Sequence, residues 1–355
     1  MKRFKKFLLS LGIVLGVLLL CGVGLFTWLI LREYRPAAVE LLPVETVGGT
    51  ALEATEFTVL SWNIGYCGLG AESDFFMDGG SMVRPASEAV VAQHLEGIRK
   101  RLLELNPDFI LLQEVDTDSK RSYGVDEATA LREALGRNSA FALNFSCDYV
   151  PYPLPPIGKV HSGLLSFSVC GIRQAERISL PCPFSWPISA ANLKRCLLVS
   201  RIPVAGTERE LVLVNLHLEA YDDGAGKLAQ SRQLREFMEQ EYAKGNYVIA
   251  GGDWNQIFPD TEARWENTHP ELWLPGILDP SELAEGWRYV WDASVPSCRL
   301  LNQAYDPEDK ENTQYYGIDG FLVSPNLNVL SVRTLEEGFA NSDHNPVLLG
   351  VTIGD

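Results

Sequence analysis

The chain of 355 residues has seven cysteines and five histidines, but no CxxC pair and no cluster of cysteines with histidines. Nothing in it therefore suggests a zinc module. Basic charge is also scarce: 30 basic against 46 acidic residues leave a net charge of −16. Past the N-terminus the visible Lys/Arg cluster is "IRKR" at 98–101, on the outer face of a predicted helix. That argues against a protein held to nucleic acid by a broad basic face, because phosphate binding draws on clustered Lys and Arg. A small phosphate ester, or a site whose positive charge comes from bound cations, stays open. Internal repeats and low-complexity tracts are absent. With 46% hydrophobic residues and eight Trp, the composition argues against disorder and for a sizeable core.

What is present starts with "MKRFKK", followed by 25 residues without a charge at 7–31. That run is long enough to span a bilayer and longer than the apolar core of a signal peptide, about 7–15 residues. No A-x-A site ends it, and the leucine before Cys21 makes a poor lipoprotein cleavage site. The run reads as an uncleaved signal anchor rather than a buried core helix. Lys2, Arg3, Lys5 and Lys6 outweigh Arg32 and Arg35, which predicts a cytoplasmic tail, a single-pass cell-membrane protein and an extracytoplasmic domain. The expected division is tail and anchor at 1–35, a linker at 36–56 lifting the domain off the membrane, and one domain at 57–355. Beyond residue 35 there are 24 basic and 45 acidic residues, a net of −21. Such a domain is repelled by an anionic surface unless metal ions or a local patch intervene. Six cysteines lie in this part, and their pairing is left open by the sequence.

From residue 57 the pattern alternates. "FTVLSWNIG", "DFILLQEVD", "SGLLSFSVC", "ELVLVNLHLEA", "YVIAGGDWN", "IDGFLVS" and "PVLLGVTI" read as strands. Residues 87–105 carry apolar residues at helical spacing behind a candidate N-cap, Ser87, and "EATALREAL" and "KLAQSRQLREFMEQEYAKG" read as further helices. A long irregular stretch, 259–315, separates the last strands. Strands throughout, with helices only between some of them, favour two packed sheets with helices outside over a doubly wound parallel sheet.

Polar residues recur at the strand ends: Asn63 in "WNIG", Glu114 in "QEVD", Asn215 and His217 in "VNLHL", Asp253 and Asn255 in "GGDWN", Asp319 in "GIDGF", and Asp343, His344 and Asn345 in "SDHNP". Each alone has a bland alternative, such as a turn, a cap or a satisfied core histidine. Together they are hard to dismiss, since burying one unpaired carboxylate is costly and several need a cation or one another. If the strand continues through "GGDWN", Asp253 and Asn255 at i and i+2 face one spot. A His–acid pair and hard oxygen donors are what phosphodiester hydrolysis with a divalent cation requires.

The ordered set WNIG, QEVD, NLHL, GGDWN, IDGF and SDHNP resembles the endonuclease/exonuclease/phosphatase superfamily, which includes pancreatic-type DNases, AP endonucleases, inositol polyphosphate 5-phosphatases and bacterial sphingomyelinases. The resemblance runs from Phe57 to the C-terminus. It implies a four-layered α/β sandwich (DNase I-like), two packed mixed sheets flanked by helices, with a Mg²⁺ site (Mn²⁺ as the alternative) where the sheets open. By the same resemblance Glu114 is the principal metal ligand, with Asn63 and Asp343 beside it. Asp253 and Asn255 orient the attacking water and hold the phosphate. His344 sits at the reaction centre, oriented by Asp319, and His217 polarises the phosphate or assists the leaving oxygen. Asn215, Arg121 of "DSKRSYG" and His161 of "KVHSG" are candidates for substrate contact, a solvated loop or core role being the alternative for the last two.

The expected activity is hydrolysis of a phosphate ester. "HLEAYDDG" resembles the HL-x-A form of sphingomyelinase-like members and, with the acidic domain and the anchor, leans towards a lipid headgroup or other small phosphodiester. An extracytoplasmic nuclease and an inactive binding protein on the same fold are the alternatives. The expected partners are the phosphate-ester substrate and the membrane, with no broad nucleic-acid-binding surface and a monomeric state. The apolar and acidic loop "DFFMDGG" at 74–80 is a candidate to shape the site or dip towards lipid.

Overall fold

The computed structural model describes residues 2–261, 264–309 and 312–354. Helix α1 (Lys2–Leu31) leads into strands β1 (Val39–Leu42), β2 (Val44–Glu45) and β3 (Glu56–Asn63). Then come α2 (Glu88–Leu105), β4 (Phe109–Asp116), α3 (Glu127–Leu135), β5 (Asn138–Val150), β6 (Gly158–Ser168), β7 (Gln174–Ser179), β8 (Cys196–Pro203) and β9 (Glu210–His217). Helix α4 (Ala225–Ala243) and strands β10 (Tyr247–Asp253), β11 (Arg288–Val290), β12 (Asp319–Val323), β13 (Leu327–Thr334) and β14 (Val347–Ile353) complete two sheets of seven strands. One runs β1-β7-β8-β9-β10-β12-β11, the other β13-β14-β3-β4-β6-β5-β2.

The period-2 alternation of apolar strands creates the layers. Phe57, Val59, Phe109 and Leu111 of one sheet meet Leu211, Leu213, Ile249 and Phe321 of the other in the central core. The intervening residues Leu60, Trp62, Ile110 and Leu112 face outward and are covered by α2 and α3 through Val91, Ile98, Leu102 and Leu131. Val212, Val214, Val248 and Ala250 face outward on the other sheet, under Leu234 and Met238 of α4. These side chains are almost wholly buried, each contributing about 1.5–3 kcal/mol of hydrophobic transfer energy. The result is the expected helix–sheet–sheet–helix sandwich.

The stretch 36–56, expected as a linker, is instead part of the fold. Val39–Leu42 pairs antiparallel with β7 at the edge of one sheet, and Val44–Glu45 pairs with β5 at the edge of the other. Pro43 separates the two short strands, where the chain passes from one sheet to the other; Pro interrupts a ladder and is tolerated at such edges. Leu52 is buried and its backbone pairs with the Pro203–Ala205 segment. Helix α1 therefore follows the domain closely. The Arg32 guanidinium meets Asp148 at 2.6 Å, Lys194 Nζ meets Glu33 at 2.8 Å, and Leu29 packs with Phe145, Cys147 and Val160. By length and composition α1 can cross a membrane. All seven cysteines are free thiols.

Candidate active site

Three adjacent strands deliver the floor of the site. β9 and β10 run parallel with His217 opposite Asp253, and β10 and β12 run antiparallel with Asp253 opposite Asp319. The three residues thus form one row across the sheet. In the facing sheet, β3 and β4 run parallel with Asn63 opposite Gln113, so Glu114 follows at the same edge. Glu114 has a positive φ of 55° at an irregularity between Leu112 and Val115 in the β4–β6 ladder. The bulge re-aims its carboxylate, a common device next to active sites. Where the two sheets open, a cleft of about 720 Å³ is lined by Glu114, Arg121, His217, Asp253, Asn255, Asp343 and His344.

Asp253 is the hub. Its Oδ2 accepts from Asn63 Nδ2 at 3.0 Å and lies 3.4 Å from His217 Nε2 and 3.7 Å from His344 Nε2. Its Oδ1 accepts the Asn255 backbone N–H at 2.9 Å. Asp253 and Asn255 do reach the same cleft, but not by strand alternation. The strand ends at Asp253, and Asn255 turns with a φ of 50°, an Asx-type turn that merges the turn and site readings of "GGDWN". Asn255 Nδ2 is held by the Leu218 carbonyl at 2.9 Å.

The two histidines are driven to opposite charge states. Burial pushes the His217 imidazole well down, and the Arg195, His344 and Arg121 charges push it further. Burial also opposes charge on His344, but Asp319, Cys298, Asp343 and Asp253 outweigh it and hold that imidazole well above the usual range. His344 Nδ1 donates to Asp319 Oδ2 at 2.8 Å, and the same oxygen accepts from Ser297 Oγ at 2.8 Å. Ser297 Oγ also accepts the backbone N–H of Ile318 and of Asp319, each at 3.0 Å. The Trp62 indole donates to the His344 carbonyl at 2.9 Å, and the His344 N–H donates to Ser342 Oγ, so ring and backbone are both fixed.

The acids are crowded. Burial pushes the Asp343 carboxyl up to about 7 and the Asp253 carboxyl up to about 6; the His344 charge opposes both, while Glu114 adds to the first and Asp319 to the second. Cys298 Sγ, Asp343 and His344 present atoms within 4.8 Å of one another, as do Asp253, Asp319 and His344. Neither group includes Glu114, but its charge acts on the Asp343 carboxyl and both line the cleft, and a pair of carboxylates of this kind fits a hard divalent cation. Asn63 departs from the ligand role expected for it. Its Nδ2 donates to both Glu114 Oε1, at 3.2 Å, and Asp253 Oδ2, and its Oδ1 accepts the Gly65 N–H at 3.0 Å. In this orientation it braces the two acids, which repel one another, rather than offering an oxygen.

Of the three substrate-contact candidates, Arg121 faces the cleft. It forks onto Asp116 at 2.9 and 3.1 Å and lies 3.8 Å over the Tyr66 ring, with Nη2 3.9 Å from Glu114. Asn215 does not face it. Fully buried between the sheets, its amide is engaged by Gln113 and by the carbonyls of Leu112 and Leu165, so it ties the sheets together. His161 is half-buried on β6 and is not among the residues lining the cleft. The sequence reading missed Ser297, Cys298 and Arg195, whereas the loop "DFFMDGG" does reach the cleft through Phe75, Phe76, Met77 and Asp78. Asp78 accepts from Tyr221 Oη at 2.9 Å, and burial pushes its carboxyl up to about 6. Arg195 meets Glu219 at 3.5 Å and donates to the His217 carbonyl at 3.3 Å.

No curated protein matches the sequence. Among solved structures, an endonuclease/exonuclease/phosphatase from Beutenbergia cavernae superposes with a TM-score of 0.56 at 18% identity, covering 85% of this chain and 72% of that one. ANGEL2, a 2′,3′-cyclic phosphatase, solved in complex with adenosine-2′,3′-vanadate, gives 0.55 at 15% identity over 88% and 98%. The human Nocturnin catalytic domain with bound sulfate gives 0.51 at 16% over 88% and 97%. At these identities the likeness is one of fold, and it agrees with the two-sheet sandwich. Residues 60–344 match the model of the Endonuclease/Exonuclease/phosphatase family, a range that starts within β3 and ends at His344 of "SDHNP". The chain belongs to the Endonuclease/Exonuclease/phosphatase family.

Proposed function

We propose that the chain is a membrane-anchored, Mg²⁺-dependent phosphodiesterase with its folded domain, which takes in the edge strands of 36–56, outside the cell, acting on a lipid headgroup or another small phosphodiester. The observation that carries the reaction class is the row of His217, Asp253 and Asp319, with His344 bonded to Asp319 and both imidazoles within 3.7 Å of Asp253 in an acid-lined cleft. Their surroundings favour a protonated His344, the proton donor, and a neutral His217, a hydrogen-bond donor to the phosphate. Glu114 and Asp343 would hold the cation, with Asn63 adding an oxygen if its amide turned. When bound, the cation supplies neutralisation of the phosphate's non-bridging oxygens.

The remaining steps belong to the chain. Asp253, with a carboxyl that titrates near neutrality, orients a water and takes its proton as the water oxygen bonds to phosphorus. The bond from phosphorus to the leaving oxygen breaks in line, and His344, protonated and fixed by Asp319, gives that oxygen its proton. His217, held neutral, donates a hydrogen bond to the phosphate. Atoms balance as one water added across one P–O bond.

The substrate leaning rests on charge. A domain of net −21 gains little from long-range attraction to polyanionic DNA. Full-length protein in detergent, assayed with Mg²⁺, is expected to hydrolyse a phosphocholine-type diester or a small soluble diester faster than duplex DNA at equal phosphate concentration. The comparison is made at low and at physiological salt. Faster cleavage of DNA at both would replace the lipid leaning with the nuclease reading.

A further inference from the structure

Helix α1 has 30 residues, a length of about 45 Å, whereas the hydrocarbon core of a bilayer is crossed in about 30 Å or 20 residues. Its first five residues are the basic segment 2–6, and the uncharged run 7–31 exceeds a span by about five residues at its C-terminal end. The C-terminal turns of the helix line the catalytic cleft. Gly22, Leu25, Phe26, Leu29 and Ile30 recur at i, i+3, i+4, i+7 and i+8, one stripe of the helix, and all face the cavity that holds Asp253 and His344. Opposite them stand two loops with large apolar side chains in the open. Trp186 is 62% exposed and Ile188 60%, with Trp186 edge-on to Phe26 at 5.7 Å; Tyr152 is 68% exposed and packs edge-on to Phe76 at 5.7 Å. Ile188, Tyr152 and Phe76 also line the cleft. The cavity thus carries both kinds of lining, acids, Arg121 and histidines together with a large apolar surface.

Water-soluble phosphodiesters have no use for such a wall, and an exposed aromatic rim is costly in water unless it meets an apolar partner. Part of the wall belongs to α1, the helix that by length and composition can cross a membrane. We infer that the α1 stripe and the loops bearing Tyr152 and Ile188 form an acyl-chain site, through which the phosphodiester of a membrane lipid reaches the catalytic residues. This rests on the phosphodiesterase reading and names its substrate as a lipid bearing acyl chains, not a headgroup released into water. The acidic domain fits a zwitterionic headgroup better than an anionic surface.

The test uses full-length protein in amphipol, with Mg²⁺ and monomeric glycerophosphocholines bearing acetyl, butyryl or hexanoyl chains. Wild-type kcat/KM is expected to rise about two- to fourfold per methylene that enters the wall. Ile188→Glu and Tyr152→Glu, both at exposed positions, are expected to lower the hexanoyl-to-acetyl ratio at least about tenfold. An acyl diazirine phosphocholine, applied to the unmodified chain in nanodiscs, is expected to label Phe26, Leu29 or Ile188 by peptide mass spectrometry. Hydrolysis of the acetyl compound with no chain-length slope overturns the acyl-chain site alone, as does labelling confined to residues outside the stripe and loops. Failure to hydrolyse any member while a small soluble diester is still turned over also overturns the acyl-chain site alone; failure on both, and on DNA, sinks the phosphodiesterase reading as well.

Discussion

Replacing His344 with alanine is expected to lower kcat on the preferred phosphodiester at least about 10²-fold, the usual scale for a general acid–base group, and His217→Ala to do the same. The two losses have different origins. His344 is the protonated member, and without it the leaving oxygen has no positioned donor. Its removal also leaves Asp319 buried with only Ser297 against Oδ2, so part of any loss in the alanine variant comes from an uncompensated charge. His344→Asn, which keeps a donor for Asp319 but cannot carry the proton, separates the two effects. It is expected to recover thermal stability and not turnover. His217 is the neutral member, and its loss removes a hydrogen bond to the phosphate and loosens Asp253 Oδ2, 3.4 Å away. Steady-state kinetics with melting curves on the same preparations decide this. Near-wild-type turnover in both alanine variants would mean that neither imidazole moves a proton or holds the phosphate.

The second large effect is on metal binding. Glu114→Gln keeps the shape of the side chain and removes a charge, and is expected to abolish the Mg²⁺-dependent rise in melting temperature and the activity together. In the wild type this rise depends on pH in a direction the geometry fixes. The carboxyls of Asp343 and Asp253 titrate at about 7 and about 6 in the folded protein, above their unfolded values, so their effect on stability favours low pH and is lost as pH rises through that window. Mg²⁺ competes with those protons. Its stabilisation is therefore expected to be larger at about pH 8 than at about pH 5. Unchanged Mg²⁺ stabilisation in Glu114→Gln would remove Glu114 from the ligand set.

The sandwich was legible because strand alternation is a local signal, and because polar residues at the ends of apolar strands are costly without a purpose. That logic brought His217, Asp253, Asp319, Glu114 and His344 to one edge. It misplaced Asn215, one residue pair before His217, because a buried amide that ties two sheets together leaves the same trace in sequence as one that faces substrate. It misread 36–56 because edge strands of four and two residues around Pro43 carry too short a pattern to distinguish from coil. Ser297 and Cys298 come from a loop and a short bridge with no period at all, and only the folded chain sets them beside Asp319 and His344. The partnership of α1 with the cleft was hidden for another reason. A run apolar on all sides reads as lipid-facing throughout, although its last turns face the protein.

In the proposed mechanism a water held by Asp253 attacks phosphorus in line, in one displacement. A chiral phosphorothioate diester turned over by the full-length protein in isotopically labelled water reads this directly. Inversion at phosphorus, with the label in the phosphorothioate product, is the expected result. Retention, or label in the alcohol product, would contradict it.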